Sequence, residues 1–193
     1  EVLVLDSFSS DTTPNICRAL KVRFEQHPFD GHVEQKNRAV ERCENDWVLS
    51  LDADERLTQE LADSILEEKA NGFKSADAFE FNRRNFYGKK WIKHGGWYPD
   101  RKIRLWDRRK GRWNGINPHD KVRLRSGAKL RHMSGDLLHF TFNGPEEHLK
   151  QAKKFGNIGG QHLRDKGKTW LFLKWMLSPP WRWFKMLILK GGC

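Results

Sequence analysis

The sequence predicts an α/β protein with a largely parallel sheet, and three observations lead there. Short β-branched or apolar runs alternate with amphipathic stretches through roughly the first seventy residues, the order expected when helices carry the chain between parallel strands. Two of those runs end in an acid, Asp6 and Asp52, and ligands bind beyond the carboxyl ends of such strands. From Asp77 onward the pattern changes to residue-by-residue alternation broken by Gly-containing turns, which reads as further strands.

Each element has its local reason. "EVLVLDSFSSD" gives a buried strand over Val2–Leu5 and a polar loop. "TPNICRALKV" opens a helix, with Thr13 expected as its cap and Pro14 at the first helical position. "KVRFEQHP" is a second strand closed by Pro28, and "GHVEQKNRAVERC" a helix behind Gly31. "WVLSLDADE" is a third strand, too short and too rich in β-formers for a core helix. "TQELADSILEEKANG" takes Thr58 as cap, aligns Leu61, Ile65 and Leu66 on one face, and stops at Gly72. Later strands are expected in "DAFEFNRRNFYGKKW", "RKIRLWDRR", "DKVRLRSG" and "GDLLHFTF", and then a helix in "PEEHLKQAKKFGNIGGQHLRDKG".

Composition narrows the function. Only 37% of the 193 residues are apolar and 32% are charged, which excludes a multi-spanning membrane protein. The net charge of +11 is uneven: residues 1–82 hold 9 Lys and Arg against 18 Asp and Glu, whereas residues 83–133 hold 17 against 3. A basic remainder after an acidic third suits an anionic partner, whether phosphate-bearing substrate, membrane surface or nucleic acid. Cys17, Cys43 and Cys193 form no CxxC pair, which favours a reduced compartment. The chain begins at "EVLVLD" without Met and ends at "LKGGC" just after an apolar run, and it is read as a piece of a longer protein.

The stretch "NDWVLSLDADERL" crowds Asp52, Asp54 and Glu55 into four consecutive positions. Carboxylates that close repel unless a cation or polar ligand separates them. An Asp-x-Asp at a strand end presents two carboxylates that a divalent cation can bridge to nucleotide phosphates; a solvated acidic turn is the plain alternative.

Taken in order and spacing, "VLDSFSSDTT", "HPFDGHVEQKNRA", "DWVLSLDADERL", "RRNFYGKKWIKHGGWYPDRKIRLW" and "GINPHDKV" resemble the inverting family 2 glycosyltransferases of GT-A, Rossmann-like fold. The lipopolysaccharide-core β-glucosyltransferase type is the subgroup they are most similar to. The resemblance implies a domain over residues 1–150 and a basic, aromatic-rich helical tail over 151–193. It also implies a preceding central strand, beside residues 2–5 and 47–52, that this chain lacks; the isolated chain is therefore expected to fold poorly or be inactive.

The resemblance further implies a nucleotide-sugar donor, with UDP-glucose the natural guess, and a divalent cation, Mg²⁺ or Mn²⁺. Asp6 would contact base or ribose, although an Asp opening a turn after a strand is common without any ligand. Lys36 and Asn37 would reach the nucleotide, and an exposed Lys36 is an equal alternative. Asp52 would hold the ribose and Asp54 the cation, with Glu55 either near the metal or capping the next segment. Arg104, with Arg101 and Lys102, would meet phosphates. His139 would be a metal or phosphate contact, against the alternative of a satisfied strand residue. The base that takes the acceptor hydroxyl proton is expected at Asp120, matching the family's His-acid pair, with Asp100 the second candidate. Trp97 and Tyr98, after the Gly95–Gly96 turn, would stack on acceptor sugar, with Asp100 beside them; core packing is the alternative for both rings.

In "WLFLKWMLSPPWRWFKMLIL", Lys174, Arg182 and Lys185 interrupt the apolar run and Pro179–Pro180 is expected to break it, so no span crosses a bilayer. The mixture suits a segment lying on an anionic membrane, which would put the protein in the cytoplasm on the inner face of the cytoplasmic membrane; a helix packed on the catalytic domain or on residues past Cys193 is the alternative. The acceptor would then be a lipopolysaccharide-core or lipid-linked glycan. A polyanion- or nucleic-acid-binding module leaves Asp52 and Asp54 without a role and no nucleic-acid motif supports it; a non-catalytic remnant is the other alternative.

Overall fold

The computed structural model describes residues 1–116, 119–165 and 171–190. Asn117 and Pro118 of the "GINPHDKV" motif, the side chain of Lys174, and Cys193 lie outside the described residues. The chain order is β1 (Leu3–Asp6), α1 (Thr13–Ala19), β2 (Arg23–Gln26), α2 (His32–Arg42), β3 (Trp47–Leu49), β4 (Glu55–Leu57) and α3 (Gln59–Ala70). It continues through β5 (Ala78–Tyr87), β6 (Lys90–Trp91), β7 (Asp100–Asp107), β8 (Gly111–Ile116), β9 (His119–Leu124) and β10 (Leu130–Phe142). Helices α4 (Pro145–Asp165) and α5 (Leu171–Phe184) come next, and a π-helical turn, Lys185–Leu189, extends α5. The α/β class expected from the sequence is the class the chain adopts.

Two compact units divide the chain. The first comprises residues 1–52, 63–81 and 102–133, the second 53–62, 82–101 and 134–193. In the first, β1 and β2 pair in parallel, Leu3 opposite Arg23 and Asp6 opposite Gln26. β3 pairs antiparallel with β7, Val48 opposite Trp106, and β8 with β9 from Gly111–Leu124 to Ile116–His119. In the second, β4 pairs antiparallel with β10, and β6 with β5. The strand order of the largest sheet is β3-β7-β5-β10-β4.

The first unit's core is Val40, Val48, Ala78, Trp106, Trp113 and Val122. Trp106 and Trp113 meet edge to face at 5.9 Å, and Trp106 Nε1 donates to the Gly111 carbonyl at 3.2 Å, so even the polar edge of a fully buried indole is satisfied. Trp47 stacks on Phe73 at 4.2 Å. In the second unit, Leu61 and Leu137 are fully buried, and Tyr87, Trp97, Phe142 and His148 form an aromatic cluster.

Helix ends obey the expected chemistry with one shift. Thr12, not Thr13, is the cap residue of α1; its side chain makes no capping bond, and the Asp11 carboxylate instead accepts the Thr13 N–H at 2.9 Å. Thr58 caps α3 as expected, its hydroxyl accepting the Leu61 N–H at 3.3 Å, and Gly72 ends the segment at φ +69°. α5 runs through Pro179 and Pro180 where a break was expected. A proline's fixed φ is compatible with helix geometry, and the missing N–H groups cost bonds without forcing the chain out of the helix. Among the described residues no helix is long and apolar enough to cross a membrane.

Gly135 is the tightest backbone approach. Its φ is +92°, and a Cβ there would sit 2.7 Å from Leu61 Cα at the start of α3. Gly135→Ala should therefore lower stability by about 2–3 kcal/mol, read as a fall in the urea midpoint with an unchanged slope.

Candidate functional site

The first strand delivers Asp6 to its end as expected, and the carboxylate is then taken up by its own loop. It is buried, and its oxygens accept from the Ser9 hydroxyl, the Ser9 N–H at 2.9 Å and Gln26 Nε2 at 3.0 Å. Burial pushes the Asp6 carboxyl up, but the Ser9 and Gln26 hydrogen bonds more than reverse that and hold it below the ordinary carboxylate value.

α2 and β8 assemble the densest cluster of the first unit. Lys36 Nζ lies 2.8 Å from Asp52 Oδ1 and 2.8 Å from Asp120 Oδ2, bridging two of the acids predicted to work on substrate. Arg104, with its side chain 5% exposed, donates to Asp52 Oδ2 at 2.9 Å. Both cations lie over the Trp113 indole, Lys36 at 4.4 Å and Arg104 at 5.2 Å from the ring centroid. The ring is fixed by Asn37, whose side-chain amide donates to the Trp113 carbonyl and accepts the Trp113 N–H, both at 3.0 Å. Asn37 thus spends its polar groups on main chain and reaches the cluster only through Trp113.

In the second unit, Asp54 precedes β4, and His139 lies opposite Glu55 in β10. The Asp54 carbonyl accepts the Phe140 N–H at 2.9 Å, and His139 Nε2 stands 3.2 Å from Asp54 Oδ2. The other ring nitrogen, Nδ1, meets Asn85 Oδ1 at 2.7 Å. Glu55 is buried beside Arg83 at 3.8 Å, and Arg83 donates to Asp100 at 3.0 and 2.8 Å. Tyr98 donates its hydroxyl to Asp136 at 2.9 Å, and Arg84, which also pairs with Asp136, covers the Tyr98 ring at 5.5 Å. Trp97 packs edge-on against Tyr87 and His148.

Two groupings of the predicted residues therefore exist: Lys36, Asp52, Arg104 and Asp120 in one unit, Asp54 and His139 in the other. Only Ala53 separates Asp52 from Asp54 in the chain. Asp6 stands in its own hydrogen-bonded loop, while Asp100, Trp97 and Tyr98 are held by Arg83, aromatic neighbours and Asp136. Sequence reasoning passed over Trp113, Asn85 and Thr141. An asparagine at position 85 inside an otherwise strand-like run was the one available signal, since a buried amide in a strand needs partners.

Among the described residues no group of three or more His, Cys, Asp or Glu could hold a metal. Asp54 and His139 supply one hard oxygen and one imidazole nitrogen, and the Asp54 side chain is 51% exposed. A divalent cation that completes its shell with water and diphosphate oxygens fits such a two-ligand, open donor set.

Comparison with known proteins places this geometry in a family. Residues 1–131 match glycosyl transferase family 2, and the chain belongs to that family. Over its whole length it is 26% identical to the lipopolysaccharide core biosynthesis glycosyltransferase LpsC of Rhizobium meliloti, covering 72% of that protein. It is 48% identical over 65 residues, 34% of the chain, to uncharacterized glycosyltransferases of Rickettsia typhi and Rickettsia prowazekii. Those matches span 22% of the length of each rickettsial protein.

The lowered Asp6 carboxyl gives a signed prediction. A depressed folded-state pKa adds stability above the unfolded value near 3.9 and loses it as pH falls through the folded value. Asp6→Asn should cost about 1–2 kcal/mol at pH 7. The gap from wild type should narrow steadily below about pH 4 in urea melts.

Proposed function

We propose that the chain carries the catalytic domain of an inverting glycosyltransferase. It moves a hexose from a nucleoside diphosphate sugar, UDP-glucose being the donor to try first, to a lipopolysaccharide-core or lipid-linked glycan. The observation that carries the reading is Lys36 bridging Asp52 and Asp120 over Trp113. A half-buried cation held between two acids on an aromatic floor is more than packing needs, and it suits a site built to receive phosphate and hydroxyl groups.

In this reading Asp52 accepts from the ribose hydroxyls, and Arg104 holds the Asp52 carboxylate toward them. Lys36 turns from the two acids to the donor phosphates, which frees Asp120. Asp120 then takes the proton of the acceptor hydroxyl as that oxygen attacks the anomeric carbon on the face opposite the leaving diphosphate. Asp54 and His139 would hold the divalent cation, Mg²⁺ or Mn²⁺, which offsets the charge building on the departing diphosphate. Asp6 keeps the loop after β1 in place through Ser9 and Gln26, for the base or ribose to rest on. Trp97, Tyr98 and Asp100 form the acceptor side, ordered by the contacts they make.

Residues 1–150 are the transferase domain and 151–193 a tail for an anionic membrane on its cytoplasmic side. Leu177, Trp181, Phe184 and Ile188 recur along α5 and its π-helical extension at helical spacing, and all four are exposed. Arg182 and Lys185 are interleaved with them, the composition of a segment that lies in a lipid interface.

Calorimetric titration of UDP into the full-length protein, with and without Mn²⁺, tests the donor site. Binding should need the metal and weaken at least about tenfold in Asp54→Asn. Asp120→Asn should leave UDP affinity intact and cut sugar transfer by about 10²–10⁴-fold. A folded chain that binds no UDP in either condition overturns the reading.

A further inference from the structure

The strand position 85 holds an amide that no role above uses. Asn85 is 5% exposed, in the middle of β5, where an apolar side chain would pack at no polar cost. Its Nδ2 donates to the Trp97 carbonyl at 3.0 Å, which fixes the way round the amide sits. Oδ1 therefore faces His139 and Thr141, taking the Thr141 hydroxyl at 3.2 Å and His139 Nδ1 at 2.7 Å. A carbonyl oxygen only accepts, so the proton of that short bond sits on Nδ1. In that tautomer the remaining lone pair of the neutral ring is on Nε2, the nitrogen 3.2 Å from Asp54 Oδ2. Two acceptors aimed at one place call for a cation.

We propose that Asn85 is a positioning residue that sets the His139 tautomer and ring angle so that Nε2 and the Asp54 carboxylate are offered to the same divalent cation. The inference rests on the cation site proposed above and adds to it the group that makes a histidine beside an aspartate a ligand pair. Ligating histidines depend on the partner of their other nitrogen in this way, and losing that partner weakens metal affinity by about 10–100-fold. Thr141 is the built-in comparison: its hydroxyl reaches both Asn85 Oδ1 at 3.2 Å and His139 Nδ1 at 3.0 Å, but as a rotor that can donate or accept it imposes no tautomer by itself, whereas the Asn85 carbonyl oxygen can only accept.

The test is Mn²⁺ binding by the full chain, monitored by the loss of the free-ion electron paramagnetic resonance signal, with no substrate turnover involved. Asn85→Ala should bind Mn²⁺ about 10–100-fold more weakly than wild type, and Asn85→Asp, which restores an acceptor for Nδ1–H, should recover most of the loss. Thr141→Val should lose clearly less affinity than Asn85→Ala, since it removes the 3.0 Å hydroxyl contact on Nδ1 but leaves the 2.7 Å Asn85–His139 bond in place. Wild-type affinity in Asn85→Ala overturns the positioning role while leaving the cation site standing. Equal Mn²⁺ binding by wild type and Asp54→Asn, or none by either, overturns the cation site and this inference with it. Long-range ¹⁵N spectra of the wild type with Mg²⁺ decide the matter without any variant at position 85: a proton on Nδ1 of His139 is expected, and a proton on Nε2 overturns the proposal.

Discussion

Asp52, Asp54 and Glu55 stand within four residues, and carboxylates crowded that closely along a chain repel unless something compensates them. The fold meets that constraint by giving each acid a different partner. Asp52 goes to Lys36 and Arg104 and Glu55 to Arg83, while Asp54 stands beside His139 with its side chain half exposed to water. These neighbours come from α2, β7, β10 and β5, elements far from the acids in the chain. Removing a cationic partner leaves its acid without that offsetting attraction.

The second requirement is that the partners stay put, and main-chain clamps supply it. Asn37 fixes Trp113 by a two-way bond to its peptide, and Trp113 in turn floors both Lys36 and Arg104. Thr58 plays the corresponding part in the second unit: its N–H and hydroxyl both donate to the Asp136 carbonyl, while the same hydroxyl accepts the Asp136 N–H. Polar side chains spent on backbone are easily taken for substrate contacts in a bare sequence. Asn37 is the instance here, since a ligand-binding "QKN" on a helix and a structural clamp look alike until the partner at position 113 is known.

Local chemistry made much of the first third legible. Gly31 before α2, Thr58 and Gly72 around α3, and the short runs at β1 and β2 all act within a few residues of themselves, which a sequence displays. The shift of the α1 cap from Thr13 to Thr12 is of the same small scale. What the sequence hid depends on distant pairing. β3 lies antiparallel to β7, Trp47 opposite Asp107, and this register brings Val48 and Trp106 into one core. The acids Asp52 and Asp54 were visible as a pattern, and His139 and Lys36 as candidates through family resemblance. Asn85 meets His139 across 54 residues of chain and Asn37 meets Trp113 across 76, separations at which no periodicity or spacing signal survives.

The end of the π-helical turn touches the loop before Trp97 from another side. The Lys190 carbonyl accepts the Gly95 N–H at 3.1 Å, and the Lys190 stem lies where any side chain at Gly96 would stand. One residue further on, Trp97 gives its carbonyl to Asn85. The apolar stripe of α5 is thus joined by covalent helix and one short loop to the main chain of the aromatic cluster. Whatever covers the stripe therefore sits one helix end and one hydrogen bond, Lys190 to Gly95, from the turn that carries the Trp97 peptide.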